Sequence, residues 1–174
     1  MAITAVASPD DLTWDNFEVT PDRILDPGDG TLVDAFTRFD FDLPDLPPRK
    51  IGNEFALADP NVIAISPNAQ VFANVLQTDE LLSHEQLHYD VGMVTARALA
   101  RELTRMRAPT LAALKGAIRD CCHLHLKTRA GLIQRRYDKD TNHGTIAHYQ
   151  KIWKDGMTGC LANERADLLL GWWL

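Results

Sequence analysis

Between Leu81 and Asp90 the chain reads Leu-Leu-Ser-His-Glu-Gln-Leu-His-Tyr-Asp, which sets His84 and His88 four residues apart with Glu85 next to the first. On a helix, positions four apart lie on one face, one turn above the other. Two neutral imidazoles so placed can hold one zinc ion from a rigid support. The neighbouring glutamate can then take a proton from a water held by that ion. The residue types therefore fit metal-assisted hydrolysis, with His84 and His88 as ligands and Glu85 as general base.

The helix that must carry these groups is expected from about Thr78 to Arg107. Thr78 offers an N-cap, Asp79 and Glu80 follow it, and no proline interrupts the chain until Pro109. Leu87, Val91, Val94 and Ala98 form one apolar stripe, and Leu81, Gly92, Ala96 and Leu99 a second. A helix apolar on most sides lies inside a protein, so the two histidines and Glu85 are expected within or beside a core. There an unpartnered polar group is costly, and a metal would satisfy both imidazoles. Gly92 leaves room for an approaching segment, or for close packing.

A catalytic zinc has three protein ligands and one open position. Val91 and Val94 exclude the extended form with a third histidine on the same segment, and Glu102 lies too far along the helix. The stretch Tyr137-Asp-Lys-Asp-Thr-Asn-His-Gly144 reads as a polar turn and makes His143 the better candidate, with His148 competing and Glu164 weaker. Asp138 or Asp140 is expected to orient an imidazole. His123 and His125, two apart, face different ways and make a poor metal pair. Tyr137 is the first candidate for polarising a scissile carbonyl, with His148 and Tyr149 as alternatives. Tyr89 is expected to pack beside Glu85, and Asp90 to serve the fold.

The remaining elements are expected to surround that helix. The first 77 residues hold short strand-like runs, Thr31 to Asp42 and Phe55 to Ser66, between turn signals such as Pro27-Gly-Asp-Gly30. They read as a small antiparallel sheet with long loops. Pro60 is expected to break the second run and Leu43 to Lys50 to form a loop. A second helix is expected from Thr110 to Arg136. Two shorter ones, Thr145 to Lys154 and Leu161 to Trp172, are parted by Gly156 and Gly159. The fold class is thus α+β in a single domain spanning 1–174, with strands and loops in 1–77 and helices in 78–174.

Composition narrows the classes. A hydrophobic share of 45% and a charged share of 24% suit a globular chain of 174 residues. The net charge of −6 argues against a general nucleic-acid binder. The row Arg97, Arg101, Arg105 reads as a solvated helix face. No apolar run is long enough for a membrane helix. Met1 to Ser8 carries no basic residue and does not read as a signal peptide, so localisation stays open, cytoplasmic as the sequence stands. Cys121, Cys122 and Cys160 form no disulfide framework and are expected as buried free thiols.

At His84-Glu-Gln-Leu-His-Tyr-Asp90 and Tyr137-Asp-Lys-Asp-Thr-Asn-His-Gly144 the chain resembles a bacterial family of predicted secreted zinc-dependent proteases. That family carries H-E-Q-x-H-[FY]-D and Y-D-x-x-T-x-H-G motifs followed by an aromatic residue, here Trp153. Leu12-Thr-Trp-Asp-Asn-Phe17 is a weaker third match. The resemblance implies a zincin-like peptidase site with Zn2+, Glu85 as base, His143 as third ligand, and a peptide or protein as substrate. Against it stands a non-catalytic zinc-binding interaction module, in which a fourth ligand such as His148 or Asp138 would close the metal site.

Overall fold

The computed structural model describes residues 11–43, 47–57 and 63–174; Pro44, Pro60 and the opening Met1 to Ser8 lie outside the described residues. The fold is α+β, with small sheets in the first half and helices in the second. After a 3-10 turn at Trp14–Asn16 come β1 (Phe17–Thr20), β2 (Ile24–Leu25), β3 (Leu32–Val33) and β4 (Ala35–Asp42). They are followed by β5 (Pro48–Ile51), β6 (Glu54–Leu57) and β7 (Ala64–Phe72).

The main sheet has the order β1-β7-β4. Here the expectation of an antiparallel sheet needs correction. β4 pairs antiparallel with β7, Phe39 opposite Pro67, but β1 runs parallel to β7, Phe17 opposite Ala69. The sheet is mixed because β1 and β7 are joined by a long crossover rather than a hairpin. Pro67 is tolerated in β7 because β1 reaches only Ala69 to Phe72, so the backbone at Pro67 is paired on one side alone. β2 with β3 and β5 with β6 form two separate hairpins.

α1 (Asp79–Arg105) is the spine of the molecule. Thr78 caps it, its hydroxyl accepting from the Leu81 amide at 3.2 Å. Both expected apolar stripes are buried apart from the half-buried Leu81, and α1 supplies residues to all three apolar clusters. Met93, Leu99 and Leu103 pack on Leu57, Ile63 and Leu126. Leu87, Val91 and Val94 pack on Ile133, Tyr137, Trp153 and Met157. Tyr89 joins Leu12, Phe17 and Val71, and its hydroxyl donates to the Ile65 carbonyl at 3.0 Å. The sheet closes on α1 at Gly92. A Cβ there would lie 2.4–2.9 Å from the Phe39 ring, so the glycine admits this strand.

The second helical run begins at the Thr110 cap, as expected, with α2 (Leu111–His123). It passes through a π-helical stretch, Leu124–Arg129, into α3 (Ala130–Thr141). The helix therefore continues beyond Arg136, and Tyr137 and Asp138 belong to α3 rather than to a loop. Burial of Tyr137 and Thr141 on the α1 side carries the helix one turn further than its polar sequence suggests. α4 (Ala147–Ala162) likewise runs through both Gly156 and Gly159. The expected terminal helix is instead a hairpin, β8 (Leu168–Leu169) and β9 (Trp172–Trp173). Its turn residues Leu170 and Gly171 both have positive φ, as a tight hairpin requires. Gly156 makes room for this hairpin, since a Cβ would meet the Leu170 side chain at 2.8 Å. Two of the three arginines in the row are not solvated. Arg97 donates to the Leu161 carbonyl at 2.9 Å, and Arg101 to the carbonyls of Glu164 and Ala166 at 2.6 Å each. They tie the C-terminal segment to α1. Among the described residues no helix is long and apolar enough to cross a membrane.

Candidate metal centre

The first turns of α1 form the floor of a cleft of about 660 Å³, lined by His84, Glu85, His88, Asp138 and His143 and walled by Phe36, Phe72 and Leu81. His84, Glu85 and His88 are 3%, 2% and 7% exposed. The Nε2 atoms of the two histidines lie 3.2 Å apart. A third group enters from α3: Asp138 Oδ1 is 2.8 Å from His88 Nε2 and 3.3 Å from His84 Nε2. Ligand bonds of about 2.0–2.1 Å at tetrahedral angles hold donors roughly 3.3 Å apart. The three donor atoms thus stand close to the spacing of three ligands on one ion.

The cluster is held from behind by Tyr137, one residue before Asp138. Its ring stacks on His84 at 4.7 Å, meets His88 edge-on at 5.0 Å, and rests on Trp153 at 5.4 Å. Its hydroxyl is directed to the His84 carbonyl, 3.5 Å away, and it has no exposed surface. Burial pushes the phenol's pKa well up. Tyr137 does not line the cleft, and neither do His148 and Tyr149, which are exposed on the first turn of α4. The expectation that Tyr137 faces a substrate carbonyl is corrected accordingly: it is a packing wall for the two imidazoles. Trp153 is fixed in turn by donating to Asp140 Oδ2 at 3.2 Å, and Asp140 also pairs with Arg136.

From the other side the chain closes with three consecutive left-handed residues, Asn142 (φ 47°), His143 (φ 50°) and Gly144 (φ 82°). A Cβ on Gly144 would lie 3.0–3.2 Å from His84 Cγ, Nδ1 and Cβ. Only glycine lets this turn lie against the imidazole. A left-handed histidine costs about 1–2 kcal/mol, and such strain gathers at functional sites.

His143 does not join His84 and His88 in one set. Its Nδ1 is 3.8 Å from Asp138 Oδ1, and its Nε2 is 3.1 Å from Asp29 Oδ2. The set that includes both α1 histidines is completed by Asp138, expected only to orient an imidazole. His143 belongs to an adjoining set with Asp26 and Asp138. Glu164, the weaker alternative, is exposed in the segment after α4. Asp29 lies within the Pro27-Gly-Asp-Gly30 turn and Asp26 immediately precedes it; the sequence shows the turn, but not that it neighbours residues over a hundred positions away.

The electrostatics fit a place built for a cation. Burial works against charge on both His88 and Asp138. Their mutual attraction outweighs it, holding His88 above the ordinary histidine pKa and, with help from His84, Asp138 far below the usual carboxylate range. Of the five buried side-chain atoms without a hydrogen-bond partner among the described residues, two belong to this motif: His84 Nδ1 and Glu85 Oε2. Leaving a buried polar atom unmatched costs about 1–3 kcal/mol, a cost that a bound ion or water at the cleft would relieve.

A separate group, Glu102, Cys121 and His125, also has its donor atoms within 4.8 Å of one another. There His125 Nε2 is already bonded to Glu102 Oε2 at 2.7 Å, and the Arg129 guanidinium stands 3.3 Å from the same imidazole. Burial, with Glu102 close by, pushes the Cys121 thiol up to about 12. A protonated thiol beside a guanidinium is a poor cation site. His123, its neighbour in sequence, is exposed and faces elsewhere, as their spacing predicts. The chain therefore contains buried groups able to hold a metal ion, of which the His84–His88–Asp138 cluster has the most suitable geometry. Comparison of the chain with family models, curated proteins and solved structures gave no match.

Proposed function

We propose that this protein is a zinc-dependent hydrolase acting on peptide bonds, and that it belongs with the predicted zinc-dependent proteases its two motifs resemble. The reading rests on one observation above all. His84 Nε2, His88 Nε2 and Asp138 Oδ1 converge within 2.8–3.3 Å beneath an open cleft, with the unpartnered Glu85 Oε2 among the same cleft-lining residues. Two imidazole nitrogens and one carboxylate oxygen are a donor set suited to zinc. Zinc held there would supply a Lewis acid and make a water acidic near neutral pH.

The chain's own groups then have distinct tasks. His84 and His88 would hold the ion through their Nε2 atoms, their rings kept in place by the Tyr137 ring. Asp138 supplies the negative charge that draws a cation to the site. Glu85, buried and without a hydrogen bond at Oε2, is free to accept the proton of the attacking water and pass it to the leaving amine. The cleft has both apolar walls and polar groups, which suits a peptide segment.

The test is Glu85→Gln. We expect hydrolysis of a broad peptide library by the wild-type protein and its loss in the variant, at equal zinc content. Undiminished activity in the variant would refute the role of Glu85. A second reading is a non-catalytic zinc-binding module on the same His84–His88–Asp138 set, which uses the same three donors without the proton transfer at Glu85. Stoichiometric zinc without hydrolysis of any library member would decide for it.

A further inference from the structure

Asp138 takes part in two ligand sets at once. The first is the His84–His88 set. The second consists of Asp26, Asp138 and His143, whose donor atoms all lie within 4.8 Å of one another. We propose that Asp26, Asp138 and His143 form a second divalent-cation site, so that the cleft floor holds two ions bridged by the Asp138 carboxylate. This rests on the reading that His84, His88 and Asp138 bind the first ion.

Three observations carry it. Asp26 is 6% exposed and the Asp138 side chain 13%, so two carboxylates face one another largely out of water. Like charges so placed repel unless a cation lies between them. Next, His143 is oriented as a ligand. Its Nε2 lies 3.1 Å from Asp29 Oδ2. An imidazole that donates there presents an unprotonated Nδ1 on its other side, toward Asp138. This is the arrangement in which a carboxylate steers a metal-binding histidine. The 3.8 Å from Nδ1 to Asp138 Oδ1 is too long for a hydrogen bond, but donors about 2.1 Å from a shared ion span up to about 4.2 Å. Finally, Asp26 is itself fixed. Its Oδ1 accepts from the Gly28 amide at 2.7 Å, and a Cβ at Gly28 would stand 3.0 Å from that oxygen.

Paired ions about 3.5–4 Å apart clamp both oxygens of a hydrolytic transition state. With two carboxylates and one imidazole, the second site is harder than the first, so it binds zinc more weakly and accepts manganese more readily.

The experiment is calorimetric titration of the chelator-stripped full chain with Zn2+, with metal content confirmed by elemental analysis. Two equivalents are expected, falling to one in Asp26→Asn and in His143→Gln. The asparagine keeps an oxygen for the Gly28 amide, and the glutamine sits on a surface turn. Circular dichroism of both variants in chelator checks the fold. One equivalent in the wild type, unaffected by Asp26→Asn, overturns the second site and leaves the first intact. One equivalent that is lost in His143→Gln also overturns it, in favour of a single ion held by His84, His88 and His143. Two equivalents undiminished in both variants place the second ion elsewhere and overturn it as well. No binding overturns both readings.

Discussion

Asp138→Asn separates the metal reading from a merely structural one, because the carboxylate has different work to do with and without the ion. In metal-free protein Asp138 Oδ1 faces His88 Nε2 at 2.8 Å and His84 Nε2 at 3.3 Å, with its side chain 13% exposed. Hydrogen bonds to a charged partner contribute about 1.5–3 kcal/mol. Removing the charge while keeping the shape should therefore cost about 2–3 kcal/mol in chelator. For a chain of 174 residues, 1 kcal/mol moves Tm by roughly 2–4 °C, so the variant should melt about 4–12 °C lower. Zinc reverses the balance only in the wild type. At a free concentration a hundred times Kd, binding adds about 2.7 kcal/mol, or roughly 5–11 °C. If losing one ligand of three weakens binding about a hundredfold, the same zinc adds only about 0.4 kcal/mol to the variant, under about 2 °C. The assay is thermal unfolding followed by circular dichroism, in chelator and at stepped free Zn2+. A variant that gained as much from zinc as the wild type would remove Asp138 from the ligand set. A wild type indifferent to zinc would remove the metal.

Three further outcomes follow from other parts of the molecule. Gly92→Ala should gain about 1 kcal/mol of helix propensity but lose more by driving a Cβ to 2.4–2.9 Å from the Phe39 ring. A net loss of about 1–2 kcal/mol is expected in urea unfolding, recovered in Gly92→Ala/Phe39→Leu; a stabilised single variant would mean that the strand yields freely. Burial holds His125 below its ordinary pKa despite its bond to Glu102, and that bond, outweighing burial, holds Glu102 below its own. Both depressions act with one sign. At these two groups the unfolded chain takes up protons first, so the pair's contribution to stability is full above about pH 6.5 and declines as pH falls through the histidine and then the carboxylate range, whereas the raised His88 acts with the opposite sign. His125→Gln should flatten the first part of that decline in equilibrium unfolding between pH 7 and 5, and an unchanged slope would contradict it. Finally, burial raises all three thiols, Cys121 to about 12. A disulfide-exchange reagent at pH 8 should find almost no reactive thiol in the native protein and three after denaturation.

The helix bearing the two histidines was legible because everything that makes it is local: a threonine cap, acids in the first turn, apolar stripes at helical spacing, and a proline beyond the end. The same holds for the Thr110 start of the second helical run. What failed was local composition read as a breaker. Tyr137-Asp-Lys-Asp looks like a turn, yet Tyr137 buries its ring between His84 and Trp153 and keeps the helix intact. Packing of that kind outweighs propensities of a few tenths of a kcal/mol per residue. Gly156 and Gly159 likewise read as breaks, and at least Gly156 is there for contact with Leu170. The signal for the terminal hairpin was present in Leu170-Gly171 but hidden in an apolar run.

The site itself divides along the same line. His84, Glu85 and His88 are one turn of one helix, so their spacing contained their geometry. The rest is assembled across the chain. Asp138 stands in a motif visible in the sequence, but its place beside the two imidazoles depends on α3 continuing past Arg136, which no spacing rule supplies. Asp26 and Asp29 arrive from the connection between β2 and β3 in the first half, and only the folded chain brings them beside Asp138 and His143, more than a hundred positions away. Pairing the two motifs therefore identified the segments that meet. It did not identify which atom of the second segment meets the histidines. That distinction matters chemically: a carboxylate at the third position lowers the charge of the centre by one unit relative to an imidazole, which tightens cation binding but weakens the pull on a bound carbonyl. With Asp138 rather than His143 beside the two imidazoles, an ion held there would bind more tightly and act as a weaker Lewis acid. Separate zinc titrations test the assignment: Asp138→Asn should weaken the tighter binding step far more than His143→Gln does, and the reverse order would refute it.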